Sequence, residues 1–144
     1  MVKRRIQAIL DAMKALLRLL AASLTLMFAA PASAQTRAEW DGVSRIVAIA
    51  DLEGDYDKFV DQLRVAQLID ANNNWVGGRA HLVQLGDVPD RGDQSRQIME
   101  LLMRLEPQAR RAGGYVHALI GNHEAMNVTG DLRYVSAGEY ASFA

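Results

Sequence analysis

Three short apolar runs, residues 45–50 (RIVAIA), 80–86 (AHLVQLG) and 115–121 (YVHALIG), each stop at a polar cluster, and helix-length segments separate them. Runs this short and this continuously apolar, rich in β-branched residues, are the pattern of buried strands. Between the first two, residues 56–70 set Phe59, Val60, Leu63, Ala66, Gln67 and Leu68 near one helical stripe. Between the second and third, residues 94–113 do the same with Ile98, Leu101, Leu102 and Leu105, and Pro107 is expected to kink or restart that helix for want of an N–H. The stretch ANNNWVGG, residues 71–78, breaks the first period and is expected to be loop. Strands alternating with helices longer than ten residues imply βαβ units and a parallel sheet, so the expected fold class is α/β, a βαβαβ unit.

Parallel strands point the same way, so the clusters that follow them meet at one carboxyl edge, where ligand sites of open α/β sheets form. That edge receives Asp51 and Glu53 from ADLEGD, Asp87 from GDVPDRGD, and Asn122 and His123 from GNHEAMN. Carboxylates gathered in a partly enclosed place repel one another and resist desolvation, and a cation makes the cluster tolerable. Oxygen donors from Asp, Glu and Asn with histidine nitrogen suit Mn, Fe or Zn, or Mg where histidine is sparse. Two such ions can share a carboxylate and activate a water for attack at phosphorus, with Asp87, at the immediate strand end between the other loops, the bridging candidate. Arg91 can meet a phosphate as a planar fork.

Plainer roles compete with these. Asp51 or Asp55 can cap the helix starting near Tyr56, Asp93 the next one, and Gly86-Asp87 and Pro89-Asp90 can be ordinary turns. His81 and His117 lie within strands and read as packed histidines, Met99 and Met103 as core filler, and Arg110-Arg111 as a solvated helix end; His123, after a strand, reads as functional.

Residues 1–34 read as a leader. Lys3, Arg4, Arg5, Lys14 and Arg18 precede an uncharged stretch, residues 19–30, and Ala32 and Ala34 suit cleavage before Gln35. The expectation is a periplasmic or secreted protein, touching the membrane only through export or an uncleaved N-terminal helix. Residues 35–44 are a polar lead-in with Trp40, and residues 45–144 are the domain. The leader holds five basic groups and one acid of the chain's 16 and 17, which leaves 11 and 16 and a net charge of −5. Such a balance argues against nucleic acid as a partner. With no cysteine, disulfides and thiolate metal sites are excluded.

The motifs ADLEGD, GDVPDRG and GNHE, in that order and one βα unit apart, resemble the calcineurin-like metallophosphoesterase superfamily and its phosphoprotein-phosphatase branch. GNHEAMNVTGDLRYVSAGEY looks closest to the bacterial Shewanella-like phosphatases, and the likeness covers residues 45–140. It implies a sheet-and-helix sandwich of which this chain is the N-terminal, truncated part, and hydrolysis of phosphate monoesters on a phosphorylated protein or a small phosphate ester. By the same likeness Asp51 ligates a first metal, Asp87 bridges two, Asn122 ligates the second and touches phosphate, and Glu53, standing where most relatives have a histidine ligand, ligates the first metal through oxygen. His123 then protonates the leaving group with Asp90 holding its ring, Arg91 and Arg133 contact phosphate, and Glu124 orients a loop. The cofactors implied are two divalent ions, with Mn favoured by Glu53 and Fe, Zn or Mg as alternatives. Glu53 and the absence of further histidine ligands keep open an inactive, phosphatase-like binding or scaffold protein.

Overall fold

The computed structural model describes Lys14 and residues 39–144, so the expected leader lies outside the described residues apart from Lys14. Asp41–Ala144 is one compact unit. Its strands β1 (Ile46–Ile49), β2 (His81–Gln84) and β3 (Tyr115–Ala118) are parallel and pair in the order β1-β2-β3. Helices α1 (Tyr56–Val65) and α2 (Ser95–Arg111) make the two crossovers, and α3 (Asn122–Thr129) and α4 (Ala137–Ser142) follow β3. The expected α/β class and βαβαβ order are what the chain adopts.

Register places Val47, Leu82 and Val116 side by side, with Ile49, Gln84 and Ala118 on the same face two residues on. Right-handed crossovers carry both helices to one side of such a sheet. Phe59, Leu63, Leu82, Ile98 and Leu105 are accordingly all fully buried in a single core cluster. The other face has no such cover among the described residues: Ile46 is 62% exposed and Ala48 is exposed. Cover on that face is uneven, since His81 on its central strand is only 6% exposed. That second face carries His81 and His117, whose Nδ1 and Nε2 lie 3.0 Å apart. Burial and then the neighbouring His81 ring lower the pKa of His117, since two close imidazoles share a proton more readily than they hold two. Neither histidine joins the carboxyl edge.

α1 stops at Val65 and not at residue 70. Gln67 takes a left-handed φ of 52°, its N–H donates to Arg64 O at 2.8 Å, and Leu68 N donates to Leu63 O at 2.9 Å. This paired C-terminal closure turns Leu68 and Ile69 back into the core. α2 ends the same way, with Gly113 at φ 82° and Gly114 N donating to Ala109 O at 2.9 Å. α2 also runs unbroken through Pro107, against expectation. The acceptor that Pro107 deprives is the carbonyl of Met103, and both residues are exposed, so water can take the missing bond.

Candidate active site

The β1 and β2 loops are stitched together through their backbones. Leu52 N and Glu53 N both donate to Asp87 O, at 2.9 and 3.0 Å, Gly54 N donates to Val88 O at 2.9 Å, and Gly92 N donates to Glu53 O at 2.9 Å. The approach is so close that a Cβ on Gly54 would sit 2.6 Å from Gly92 C. Asp51, Glu53, Asp87, Asp90 and Arg91 all have positive φ, between 40° and 77°. The other non-glycine residues described with positive φ are Gln67, at a helix end, and Asn73, in a loop. Left-handed backbone at an L-residue costs about 1–3 kcal/mol and persists where surroundings over-determine it, a condition concentrated at functional sites. The strain thus falls on five of the residues that the motifs had singled out.

Asp90 is fully buried. Its Oδ2 lies 2.6 Å from His123 Nδ1, and its Oδ1 accepts from Asn127 Nδ2 at 3.0 Å. His123 is itself 5% exposed, donates its backbone N–H to Asp87 Oδ1 at 2.8 Å, and sets its ring 5.3 Å from that of Tyr134. Because Nδ1 is committed to Asp90, Nε2 is the ring nitrogen left for chemistry. His123 lies in the first turn of α3, which begins at Asn122. The first N–H groups of a helix lack intrahelical partners, and Asp87 takes one of them.

Glu124 closes the same corner. Its carboxylate accepts from Gly121 N at 2.7 Å, Asp87 N at 2.9 Å and Val88 N at 2.8 Å. It is thus half of a capping box; the reciprocal half is impossible because Gly121 has no side chain. Glycine is required there because a Cβ would sit 2.6 Å from Asp87 N. Gln84, fully buried, was not singled out by the sequence, yet its side chain both donates to Gly86 O (2.6 Å) and accepts from Gly86 N (3.0 Å), fixing the turn that delivers Asp87. Asp55 caps α1 by accepting from Lys58 N at 3.0 Å, whereas Asp93 does not cap α2 and accepts instead from Ser136 Oγ.

Arg91 lies at the exposed rim, paired with Glu53, and its guanidinium faces the Tyr134 ring at 5.6 Å. The hydrogen bond from Glu53 raises the Arg91 pKa, keeping a fixed positive charge beside the loops. Both partners meet solvent, so the pair is screened and worth little net stability. Replacing Glu53 with glutamine in the full-length protein is expected to tighten inorganic phosphate binding by no more than about fivefold, read by calorimetric titration, because a half-buried but solvent-screened competitor of Arg91 is removed. Unchanged or weaker affinity would mean that Glu53 does not compete for Arg91. Arg133 is gripped bidentate by Asp131, at 2.8 and 2.7 Å, and is not brought against the other candidates; each charge of that pair holds the other ionised, lowering the Asp131 pKa and raising that of Arg133.

The candidate oxygen donors for a cation are Asp51 and Asn122, exposed, and Asp87, half-buried, at successive strand ends. Their oxygens fit a hard divalent ion in kind. One Asp87 oxygen is engaged by His123 N and the Glu53 carboxylate by Arg91, and among the described residues no three His, Asp or Glu side chains converge as a metal-ligand set. These residues fit part of a coordination shell.

The family model for calcineurin-like phosphoesterase matches residues 44–143. The chain is 46% identical over 102 residues to Shewanella-like protein phosphatase 2 of Arabidopsis thaliana, covering 71% of this chain and 26% of that one. It is 38% identical to Shewanella-like protein phosphatase 1 of Plasmodium berghei, over 73% of this chain and 28% of that protein. The crystal structure of the cold-active protein-tyrosine phosphatase of a psychrophilic Shewanella species superposes with a TM-score of 0.67 at 42% identity, over 70% of this chain and 30% of that chain. The chain therefore spans about three tenths or less of the length of these relatives.

Proposed function

Since the chain belongs to the calcineurin-like phosphoesterase family, whose members use divalent metal ions, we propose that the full-length protein is a metal-dependent phosphatase acting on phosphate monoesters, with phosphorylated serine, threonine or tyrosine of a protein as the substrate class. The observation that carries this is the buried Asp90–His123 pair, 2.6 Å between Oδ2 and Nδ1, beside Arg91 and one residue from Asn122.

In this reading Asp51, Asp87 and Asn122, with Glu53 once Arg91 has left it, would hold two divalent ions, Mn favoured by the oxygen donors, and residues outside this chain would complete the shells. When bound, such ions supply Lewis acidity at the phosphoryl oxygens and an acidified water. Arg91 leaves Glu53 to grip the phosphoryl oxygens as a fork, with its charge already fixed. Asp90 holds the His123 ring by Nδ1, and Nε2 delivers a proton to the departing oxygen, so that a poor leaving group departs as an alcohol. The bond from His123 N to Asp87 Oδ1 ties the acid to the metal-binding carboxylate, so both are placed by one contact. Export through residues 1–34 to the periplasm or outside the cell belongs to the same proposal, and N-terminal sequencing of the secreted form should begin at Gln35.

The test is turnover of p-nitrophenyl phosphate by the full-length protein before and after chelation. Activity is expected to vanish in EDTA and to return most strongly with Mn. Phosphotyrosine and phosphoserine peptides then separate the substrate classes. The second reading, an inactive phosphate-binding scaffold, draws on the Glu53–Arg91 pair and the incomplete ligand set; it predicts phosphate binding without turnover under every metal.

A further inference from the structure

We propose that Glu139 is a positioning residue for the proton transfer, holding Asp90 in the conformation that orients His123; the proposal rests on the phosphatase reading of the same site. Glu139 is 4% exposed, in α4, and both its carboxylate oxygens accept from Asp90 N, at 3.0 and 3.2 Å, across 49 residues of sequence. Asp90 stands at φ 77°, the highest of the non-glycine values described. A residue in that region returns to ordinary backbone unless its N–H is held where the strained geometry points it. Glu139 is what holds it.

The whole segment around Glu139 acts on the same loop. Arg91 N donates to Tyr134 O at 2.9 Å, and Ser136 Oγ, whose one proton goes to Asp93, accepts from Glu139 N at 2.9 Å. Residues 134–139 therefore grip residues 90–93, with Ser136 capping α4 and holding the Glu139 backbone in its first turn. No Lys or Arg among the described residues pairs with Glu139. A fully buried carboxylate without a cation is costly, and a purely space-filling position would favour an apolar side chain. The acceptor is needed at that point, and what it accepts from is the backbone of the residue that aims the acid.

A residue that only supports the fold would, when lost, slow every substrate alike. A residue that aims a general acid slows those whose leaving group needs a proton. In the full-length protein, Glu139→Ala is expected to lower kcat for phenyl phosphate by about a hundredfold. For p-nitrophenyl phosphate, whose phenolate leaves as a stabilised anion, the loss is expected to stay within about fivefold, since the acid adds little there. Glu139→Gln keeps an acceptor oxygen and is expected to restore most of the phenyl phosphate rate. Proton NMR gives a readout independent of turnover: the downfield resonance of His123 Nδ1–H, assigned by its loss in His123→Gln, should persist in Glu139→Gln and broaden or disappear in Glu139→Ala. Equal losses on both esters, or an Nδ1–H resonance indifferent to Glu139→Ala, overturn the proposal. Should Glu139→Ala not fold, Glu139→Gln decides it, because a glutamine variant with a lost resonance and a selective loss on phenyl phosphate is incompatible with the acceptor role. If the wild-type protein turns over neither ester, the phosphatase reading fails and the NMR comparison alone decides whether Glu139 positions the pair.

Discussion

Asp87→Asn in the full-length protein is expected to reduce p-nitrophenyl phosphate turnover at least about a hundredfold while leaving thermal stability within about 1 kcal/mol of wild type. Both halves follow from geometry. Asparagine is nearly isosteric and keeps an Oδ1 that accepts from His123 N, the contact now at 2.8 Å, so the start of α3 stays in place. The backbone carbonyl of residue 87, which receives Leu52 N and Glu53 N, is untouched. What is lost is the negative charge of the half-buried side chain that ends the central strand, and with it the oxygen left over for a cation. Titration with Mn by calorimetry should show the loss of uptake directly. Unchanged turnover in this variant would remove Asp87 from the cation site and, with it, the two-ion reading.

Much of this arrangement was legible in the sequence because it follows from periodicity. β-branched runs of four to six residues separated by amphipathic segments leave few topologies besides parallel βαβ units, and a parallel sheet sends every strand's sequel to one edge. Asp51, Asp87 and Asn122 are placed there by chain direction alone. The positive φ of Asp51, Glu53, Asp87, Asp90 and Arg91 was not legible, since none is a glycine and the strain is imposed by bonds between loops. The end of α1 was missed for a similar reason: Gln67 carries no flag for a left-handed closure, and the apolar spacing continues past it because Leu68 and Ile69 are needed by the core for another purpose. The start of α3 carries no capping signal in the sequence because the residue before it is a glycine, and the carboxylate that closes the corner, Glu124, lies inside the helix. Glu139 gave no signal at all. Its partner is 49 residues away, and a glutamate in the first turn of a short helix looks like an ordinary answer to the helix dipole.

Arg133 was less legible. Its position within GDLRY suggested a second phosphate contact; Asp131, two residues earlier, pairs with the Nε–Nη2 edge of its guanidinium. An exposed ion pair of this kind is weak, and the Nη1 side of the guanidinium lies outside it. Arg91 differs in that its backbone is fixed at Tyr134 O and its guanidinium is paired with a half-buried glutamate, Glu53.

Glu124→Ala is expected to be the most destabilising single change at this corner, by about 3 kcal/mol in the full-length protein, which for a chain several times this length corresponds to a fall in Tm of roughly 5 °C. One carboxylate satisfies three backbone donors, Gly121 N, Asp87 N and Val88 N, that belong to two different loops. Charge-assisted bonds of this kind are worth about 1.5–3 kcal/mol each, and partial access of water to the corner keeps the sum below their total. Glu124→Gln should fall between, because one amide oxygen can accept but the amide nitrogen would face donors. Since Asp87 keeps its left-handed φ only while its N–H is held, turnover by the alanine variant should drop even at temperatures where it remains folded. Chemical denaturation and p-nitrophenyl phosphate assays on the same preparations check both. A loss below about 0.5 kcal/mol would mean that water replaces the carboxylate without cost, and that the Asp87 turn is held by Gln84 and the β1 loop alone.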